Sequence, residues 1–340
     1  MDLRDRLRRG LVIPAHPLSL TSKRKLDERR QRALTRYYLA SGVGGLAIGV
    51  HTSQFAIRDP QVSLLKPVLE LAMEEMRLRS VVKIAGVCGR LTQATREAEL
   101  AASLGYDAVL LSLSALRGSS FNQMIDHVRA VASVLPVFGF YLQPAVGGLT
   151  LPFSFWAQVA QIEDLVAIKI APFNRYQTLD VVRAIVESGR AGQVALFTGN
   201  DDNIVFDLLS QFKLGRESVR IVGGLLGHWA VWTSAAVSQF AQIQSIIHSQ
   251  NDVPAELLTL AWQVTDSNAA IFDPGNNFRG CIAGIHEILR RQGLLEGRWL
   301  LDPQEDLSPG QAEEIDRVCR LYPHLQDNDF VRSNLDSWLR

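Results

Sequence analysis

Cysteine is scarce: Cys88, Cys281 and Cys319 lie far apart, and no C-x-x-C pair occurs. That excludes a disulfide framework and a zinc knuckle, and it fits a reducing compartment. Lysine is nearly as rare. Six of the 35 basic residues are Lys, so arginine carries the surface charge and each lysine is easy to inspect. Neither sign of charge is in excess, with 35 basic against 35 acidic residues. A neutral chain has no long-range pull on a polyanion, so no nucleic-acid partner is expected. No stretch approaches the roughly 18 uninterrupted apolar residues of a membrane span, and the opening MDLRDRLRRG has no apolar signal core. A cytoplasmic location without a membrane partner is the expectation. Internal repeats and low-complexity tracts are also missing.

What is present is alternation. The 340 residues are 47% hydrophobic and 21% charged, an ordinary balance for a soluble globular enzyme. Short apolar, β-branched runs fall at residues 11–15, 45–50, 81–87, 108–113, 137–142, 165–170, 194–198 and 219–223. Helix-patterned segments separate them, at 27–40, 65–78, 92–104, 121–134, 155–160, 179–188 and 202–211. Eight strands alternating with helices predict a parallel sheet closed into a TIM-type (β/α)8 barrel, an α/β fold of about 250 residues. Gly42, Gly105 and Gly189 sit where helix-ending glycines belong. From about Ala230 the pattern is helix after helix. The expected organisation is an N-terminal arm at 1–10, the barrel at 11–228 and a C-terminal helical extension at 229–340.

Barrels of this kind place chemistry at the C-terminal ends of their strands. Those ends carry His16, then His51-Thr52-Ser53-Gln54, Cys88, Ser112 and Ser114, Tyr141, Lys169, Asn200-Asp201 and finally Gly223-Gly224 through His228. Lys169 stands out because the run Asp164-Leu-Val-Ala-Ile-Lys-Ile-Ala-Pro is otherwise apolar. Burial strips solvation from an ammonium ion and favours the neutral amine, which attacks carbonyls to form an imine. A bland lysine would snorkel to the surface or pair with a carboxylate. Its place at the end of the sixth strand favours the chemical role. In Pro136-Val-Phe-Gly-Phe-Tyr-Leu-Gln-Pro, period-two alternation is taken to turn Phe138 and Phe140 to the helices and Val137, Gly139 and Tyr141 to the barrel axis. Tyr141 then suits a proton shuttle, with a core tyrosine as the plain alternative.

The neutral imidazole of His51 is a candidate acid or base, while His16 and His228 read equally well as satisfied loop histidines. A metal site would need three ligands, and no carboxylate accompanies these histidines at a strand end. No metal is expected. Gly42-Val-Gly-Gly is not a dinucleotide fingerprint, because it precedes a strand. Asn174-Arg175 offers a cation for a second carboxylate, and Tyr37-Tyr38 reads as packing.

Several stretches, taken in order, resemble one known family. Val166-Ala-Ile-Lys, Tyr141-Leu-Gln-Pro and Ala40-Ser-Gly-Val-Gly-Gly-Leu-Ala-Ile-Gly-Val-His-Thr-Ser-Gln resemble the dihydrodipicolinate synthase/N-acetylneuraminate lyase superfamily. Ile84-Ala-Gly-Val, Gly105-Tyr-Asp-Ala-Val-Leu-Leu and Phe197-Thr-Gly-Asn-Asp add to the match, which spans roughly residues 11 to 300. The resemblance implies a barrel with C-terminal helices, a covalent imine between Lys169 and pyruvate or a related 2-oxo acid, no separate cofactor, and a homo-oligomer, dimer or tetramer. It implies Lys169 and Tyr141 as catalytic residues, and the imidazole of His51 is the expected third. Thr52, Ser53, His16, Gly199 and Gly223 are the implied substrate-binding positions.

The departures are informative. The family's Gly-Thr-Thr-Gly-Glu loop reads Val50-His51-Thr52-Ser53-Gln54, so His51 replaces a proton-passing threonine. A paired tyrosine motif after strand four reads Ala115-Leu116, and Val146 lies near the place of a substrate-gripping arginine. Genuine dihydrodipicolinate synthase activity is not expected. The alternatives are a metal- or ligand-binding barrel without imine chemistry, or an assembly role for the arm and the C-terminal helices.

Overall fold

The structure is a computed structural model that describes residues 2–249 and 252–340. The strands are β1 Val12–Pro14, β2 Gly45–Ile48, β3 Val82–Val87, β4 Ala108–Leu111 and β5 Val137–Leu142. They continue as β6 Leu165–Ala171, β7 Ala195–Thr198, β8 Gln211–Leu214, β9 Glu217–Arg220 and β10 Gly223–Leu226. The helices begin with α1 Leu3–Arg8, α2 Glu28–Ala40, α3 Leu65–Met76, α4 Leu91–Leu104 and α5 Phe121–Ala132. Next come α6 Phe153–Val159, α7 Arg175–Glu187, α8 Ile204–Leu209 and α9 Thr233–Ser249. The last are α10 Ala255–Phe272, α11 Cys281–Arg291, α12 Gln311–Leu321 and α13 Asn328–Trp338. Strand order in the eight-stranded sheet is β1-β10-β7-β6-β5-β4-β3-β2, and a parallel bridge from Ala15 to Ala47 links its first and last strands. No helix among the described residues is long and apolar enough to cross a membrane.

Internal packing divides the chain into two compact units, Met1–Leu11 with Val82–Leu225, and Val12–Val81 with Leu226–Arg340. In the first, β3 to β7 and β10 pair in parallel, each fully or almost fully buried, as both faces of such a sheet require. The β5 and β6 register pairs Phe140 with Lys169 and Tyr141 with Ile170, and β7 continues it, pairing Lys169 with Phe197. Helix α5 starts with a capping box from Ser120 and Gln123, and α4 ends on Gly105 at φ 87°. Helix α1 packs beside the starts of β6 and β7. Its Arg4 guanidinium donates to the carbonyls of Leu165 and Gln193, both at 3.1 Å, and to that of Glu163. The basic arm thus docks on its own unit.

The eighth sheet strand differs from the expectation. The apolar residues from 219 to 223 are split between two elements. Gln211–Leu214 and Glu217–Arg220 form an exposed antiparallel hairpin, turning through Gly215 at φ 61°, the conformation a two-residue turn asks of glycine. The sheet strand begins only at Gly223.

In the second unit, Ala15 N–H donates to Leu226 O at 3.1 Å and His16 N–H to Ala47 O at 2.9 Å. Helix α2 buries Tyr37 and Tyr38 completely. Tyr37 donates to Asp327 at 2.8 Å and accepts from the Thr233 N–H at 2.8 Å, while Tyr38 donates to Ala230 O at 2.9 Å. Each buried hydroxyl is therefore satisfied, as burial of a phenol demands. Beyond Leu226 every described element is helical. The segment around Leu300 is tied to the early loops: Arg24 donates to Leu300 O at 2.9 Å, and Gln54 Oε1 accepts from Leu301 N–H at 2.6 Å.

Candidate active site

In the first unit, Lys169 lies on the sheet face that also carries Phe138, Phe140, Phe197 and Gly199. Its Nζ sits 4.5 Å from the centroid of the Phe140 ring. Phe138 and Phe197 meet edge-on with centroids 5.1 Å apart. A Cβ added at Gly199 would lie 2.5 Å from Lys169 Cε and 2.8 Å from its Cγ, so the lysine stem runs directly over that glycine. The side chain is 7% exposed. An amine reaching the end of a buried strand, walled by an aromatic ring and bare backbone, is equipped to form an imine.

Tyr141 does not share this face, which corrects the expectation that it turns to the barrel axis. Its ring packs against Trp156 of α6 at 5.3 Å, and its hydroxyl accepts the Leu151 N–H at 3.1 Å. A Cβ at Gly139 would also meet Trp156, at 3.5 Å. The gap below Tyr141 is thus filled by an indole, and burial pushes the phenol pKa up. The alternation was sound, but its phase was the reverse of that expected: Phe138 and Phe140 face inward. Phe140, expected against the helices, lies beside Lys169 instead.

Gly223 is also reassigned. It opens β10 in register with Phe197, and a Cβ there would lie 2.5 Å from Leu11 O. It permits close backbone approach within the sheet and does not belong to a loop beyond it. Arg175 is engaged on the helix side by the buried carboxylate of Asp207, which also accepts from Thr198 at 2.7 Å and Asn200 at 3.0 Å. It is not positioned as a cation for substrate, and Asn174 caps α7.

In the second unit, His16 is a core residue. Its Nδ1 lies 2.8 Å from Pro17 O and 3.1 Å from Gln31 Nε2, and its Nε2 lies 2.9 Å from Thr35 Oγ1. Burial lowers its pKa to about 4. The expectation of a substrate-binding side chain is therefore corrected; its carbonyl matters more. Thr52 and Ser53 both donate to His16 O, at 3.2 and 2.6 Å, and Ser53 also accepts from Gly49 N–H at 3.0 Å. The Ser53 hydroxyl is spent on shaping the loop after β2, which corrects its assignment to substrate. His51 heads a 3-10 turn in that loop, half-exposed, with its ring 5.9 Å from Phe55. Gln54 follows at φ 64°, a strained conformation for a residue with a side chain. His228 is buried, with Nδ1 3.4 Å from Asn268 Nδ2 and its pKa lowered to about 4 by burial. Among the described residues no three His, Cys, Asp or Glu side chains cluster as metal ligands would.

The model of the dihydrodipicolinate synthetase family matches residues 9–226, well over half the chain. The chain belongs to that family. N-acetylneuraminate lyase of Citrobacter koseri is 27% identical over 203 residues, covering 58% of this chain and 65% of the relative. The match thus spans slightly less than two thirds of that lyase. 4-Hydroxy-tetrahydrodipicolinate synthase of Desulforudis audaxviator is 26% identical over 264 residues, 73% of this chain and 85% of the relative. Among solved structures, dihydrodipicolinate synthase from Oceanobacillus iheyensis superposes with a TM-score of 0.76 at 17% identity, covering 95% of this chain and 99% of that one. N-acetylneuraminate lyase from Fusobacterium nucleatum, solved with pyruvate, gives 0.73 at 18%, covering 93% and 98%. At these identities the likeness establishes the fold, a (β/α)8 barrel with C-terminal helices.

Proposed function

We propose that this family member is a class I lyase whose Lys169 forms an imine with a 2-oxo acid, pyruvate or one of its aldol adducts. The observation that carries the reading is the placement of Lys169. It is a buried lysine at the C-terminal end of the sixth barrel strand, laid over Gly199 with its nitrogen on the Phe140 ring. The pyruvate held by the Fusobacterium nucleatum relative supports the choice of keto acid.

The neutral amine attacks C2 of the keto acid to give a carbinolamine, and protonation of its hydroxyl followed by loss of water leaves a protonated imine. Removal of the C4 hydroxyl proton lets the C3–C4 bond break, its electron pair moving into the iminium to give an enamine and an aldehyde. Protonation at C3 and hydrolysis return pyruvate and the free lysine. No separate cofactor takes part. His51, at the head of the loop after β2, is the group assigned to proton transfer. Thr52 is assigned to the carboxylate by its match to the family loop. Its hydroxyl is held to His16 O by a longer bond than that of Ser53 and, among the described residues, accepts none in return, so it would turn from that carbonyl to the keto acid. Ala115-Leu116 and Val146 stand where the synthase branch keeps its relay pair and its arginine, so the second substrate is not that of dihydrodipicolinate synthase. A homo-oligomer and a cytoplasmic location complete the reading.

Proton exchange tests it without a guess at the aldehyde. Pyruvate incubated with the protein in D2O should lose its methyl proton signal through the enamine, and Lys169→Ala should abolish the loss. Exchange that persists in Lys169→Ala would assign the chemistry elsewhere.

A further inference from the structure

The Lys169 nitrogen has an aromatic neighbour that the imine chemistry alone does not require. Phe140 is buried, is the register partner of Lys169 across β5 and β6, and presents its ring with the centroid 4.5 Å from Nζ. That is well inside the roughly 6 Å over which a ring face attracts a cation. The lysine stem has little freedom to leave. Gly199 lies against its Cγ and Cε, and Phe197, its register partner on β7, is braced edge-on by Phe138. The ring attracts a positively charged nitrogen more strongly than a neutral one, which makes only a weak N–H contact with its face. Along the proposed reaction the ammonium and the iminium carry that charge, whereas the free amine and the carbinolamine do not. The iminium is also the electron sink for C–C cleavage.

We infer that Phe140 is a positioning residue that holds the Lys169 nitrogen on its ring face and selectively stabilises its cationic states, the iminium included. This rests on the imine reading of Lys169 and adds to it the residue that tunes the nitrogen.

The test needs no substrate. Trace acetylation of Lys169 by acetic anhydride, followed across pH by peptide mapping, reports the ionisation midpoint of that amine in the intact protein. Phe140→Leu removes the π face and should lower the midpoint by about half to one pH unit, whereas Phe140→Tyr should leave it in place. Fluorinated phenylalanines at position 140 keep the shape and weaken the ring's negative face. The midpoint should step down with each added fluorine, even if the leucine variant folds poorly. A midpoint unmoved across the fluorinated series would overturn the inference. If pyruvate is still trapped on Lys169 in that case, the imine reading stands without Phe140. A stepwise shift in a protein that never traps pyruvate would retain the ring contact and reject the imine.

Discussion

Gly199 leaves no room for a methyl group beside Lys169: a Cβ there would lie 2.5 Å from Cε and 2.8 Å from Cγ of the lysine. The Ala171 Cβ, also 2.8 Å away, is fixed to its strand, so the flexible lysine stem, the proposed nucleophile, takes most of the displacement. Gly199→Ala should therefore displace the amine, at some cost in stability from the Ala171 contact. Misplacement by about 1 Å costs on the order of 10²-fold in rate. Borohydride trapping of pyruvate should slow by about that factor, with an unchanged circular dichroism spectrum. A rate within twofold of the parent would show that the lysine does not depend on this floor.

Tyr141 faces the helices, and its hydroxyl accepts the buried Leu151 N–H. Tyr141→Phe should retain imine formation within a few-fold and lose about 1–3 kcal/mol of stability, the cost of a stranded donor. Urea denaturation and pyruvate trapping on the same preparation separate the two effects. Loss of trapping by more than tenfold at unchanged stability would return Tyr141 to the chemistry.

His51 is assigned by loop position to proton transfer. His51→Ala should keep the trapped adduct on Lys169 and lower the exchange of pyruvate protons by about 10²- to 10⁴-fold, the usual weight of a general acid or base. Exchange at the parent rate would remove His51 from the relay.

Burial lowers the pKa of His16 and His228 from 6.5 to about 4 and that of His286 to about 3. Below pH 6.5 the unfolded chain takes up protons that the folded histidines refuse. The stability they confer is full above that pH and falls as pH drops toward the folded values. Three such groups approach about 4 kcal/mol per pH unit between roughly pH 6 and 4.5. Among the described residues neither ring nitrogen of His286 has a hydrogen-bond partner. His286→Leu should thus be near neutral at pH 7.5 and reduce the acid slope by about 1.4 kcal/mol per pH unit. An unchanged slope in urea titrations at pH 7.5, 6.5 and 5.5 would contradict this account of the buried imidazole.

The barrel was legible because its signals are local. Seven of the eight sheet strands lie where apolar runs fall, and Gly42, Gly105 and Gly189 adopt the positive φ expected after helices. Lys169 was conspicuous for its charge in an apolar strand. What failed depended on partners distant in sequence. Alternation along β5 gives two faces, and only Trp156 decides which one Tyr141 takes. His16 reads like a mouth residue until Gln31 and Thr35 occupy its ring. The run from 219 to 223 resembles one strand because the hairpin with Gln211–Leu214 is a pairing, not a composition. Helix α13 falls within the expected helical extension, but its place is set from far away. Its anchoring contact, Asp327 to Tyr37, joins residues nearly three hundred positions apart.

The central claim is that Lys169 is the imine-forming residue, and trapping with peptide mapping tests it most directly. Protein incubated with pyruvate and reduced with borohydride should carry one adduct, on the peptide containing Lys169. The other five lysines should be unmodified, and Lys169→Ala should give no adduct. An adduct on a different lysine, or none with pyruvate and a panel of 2-oxo acids, would contradict the account.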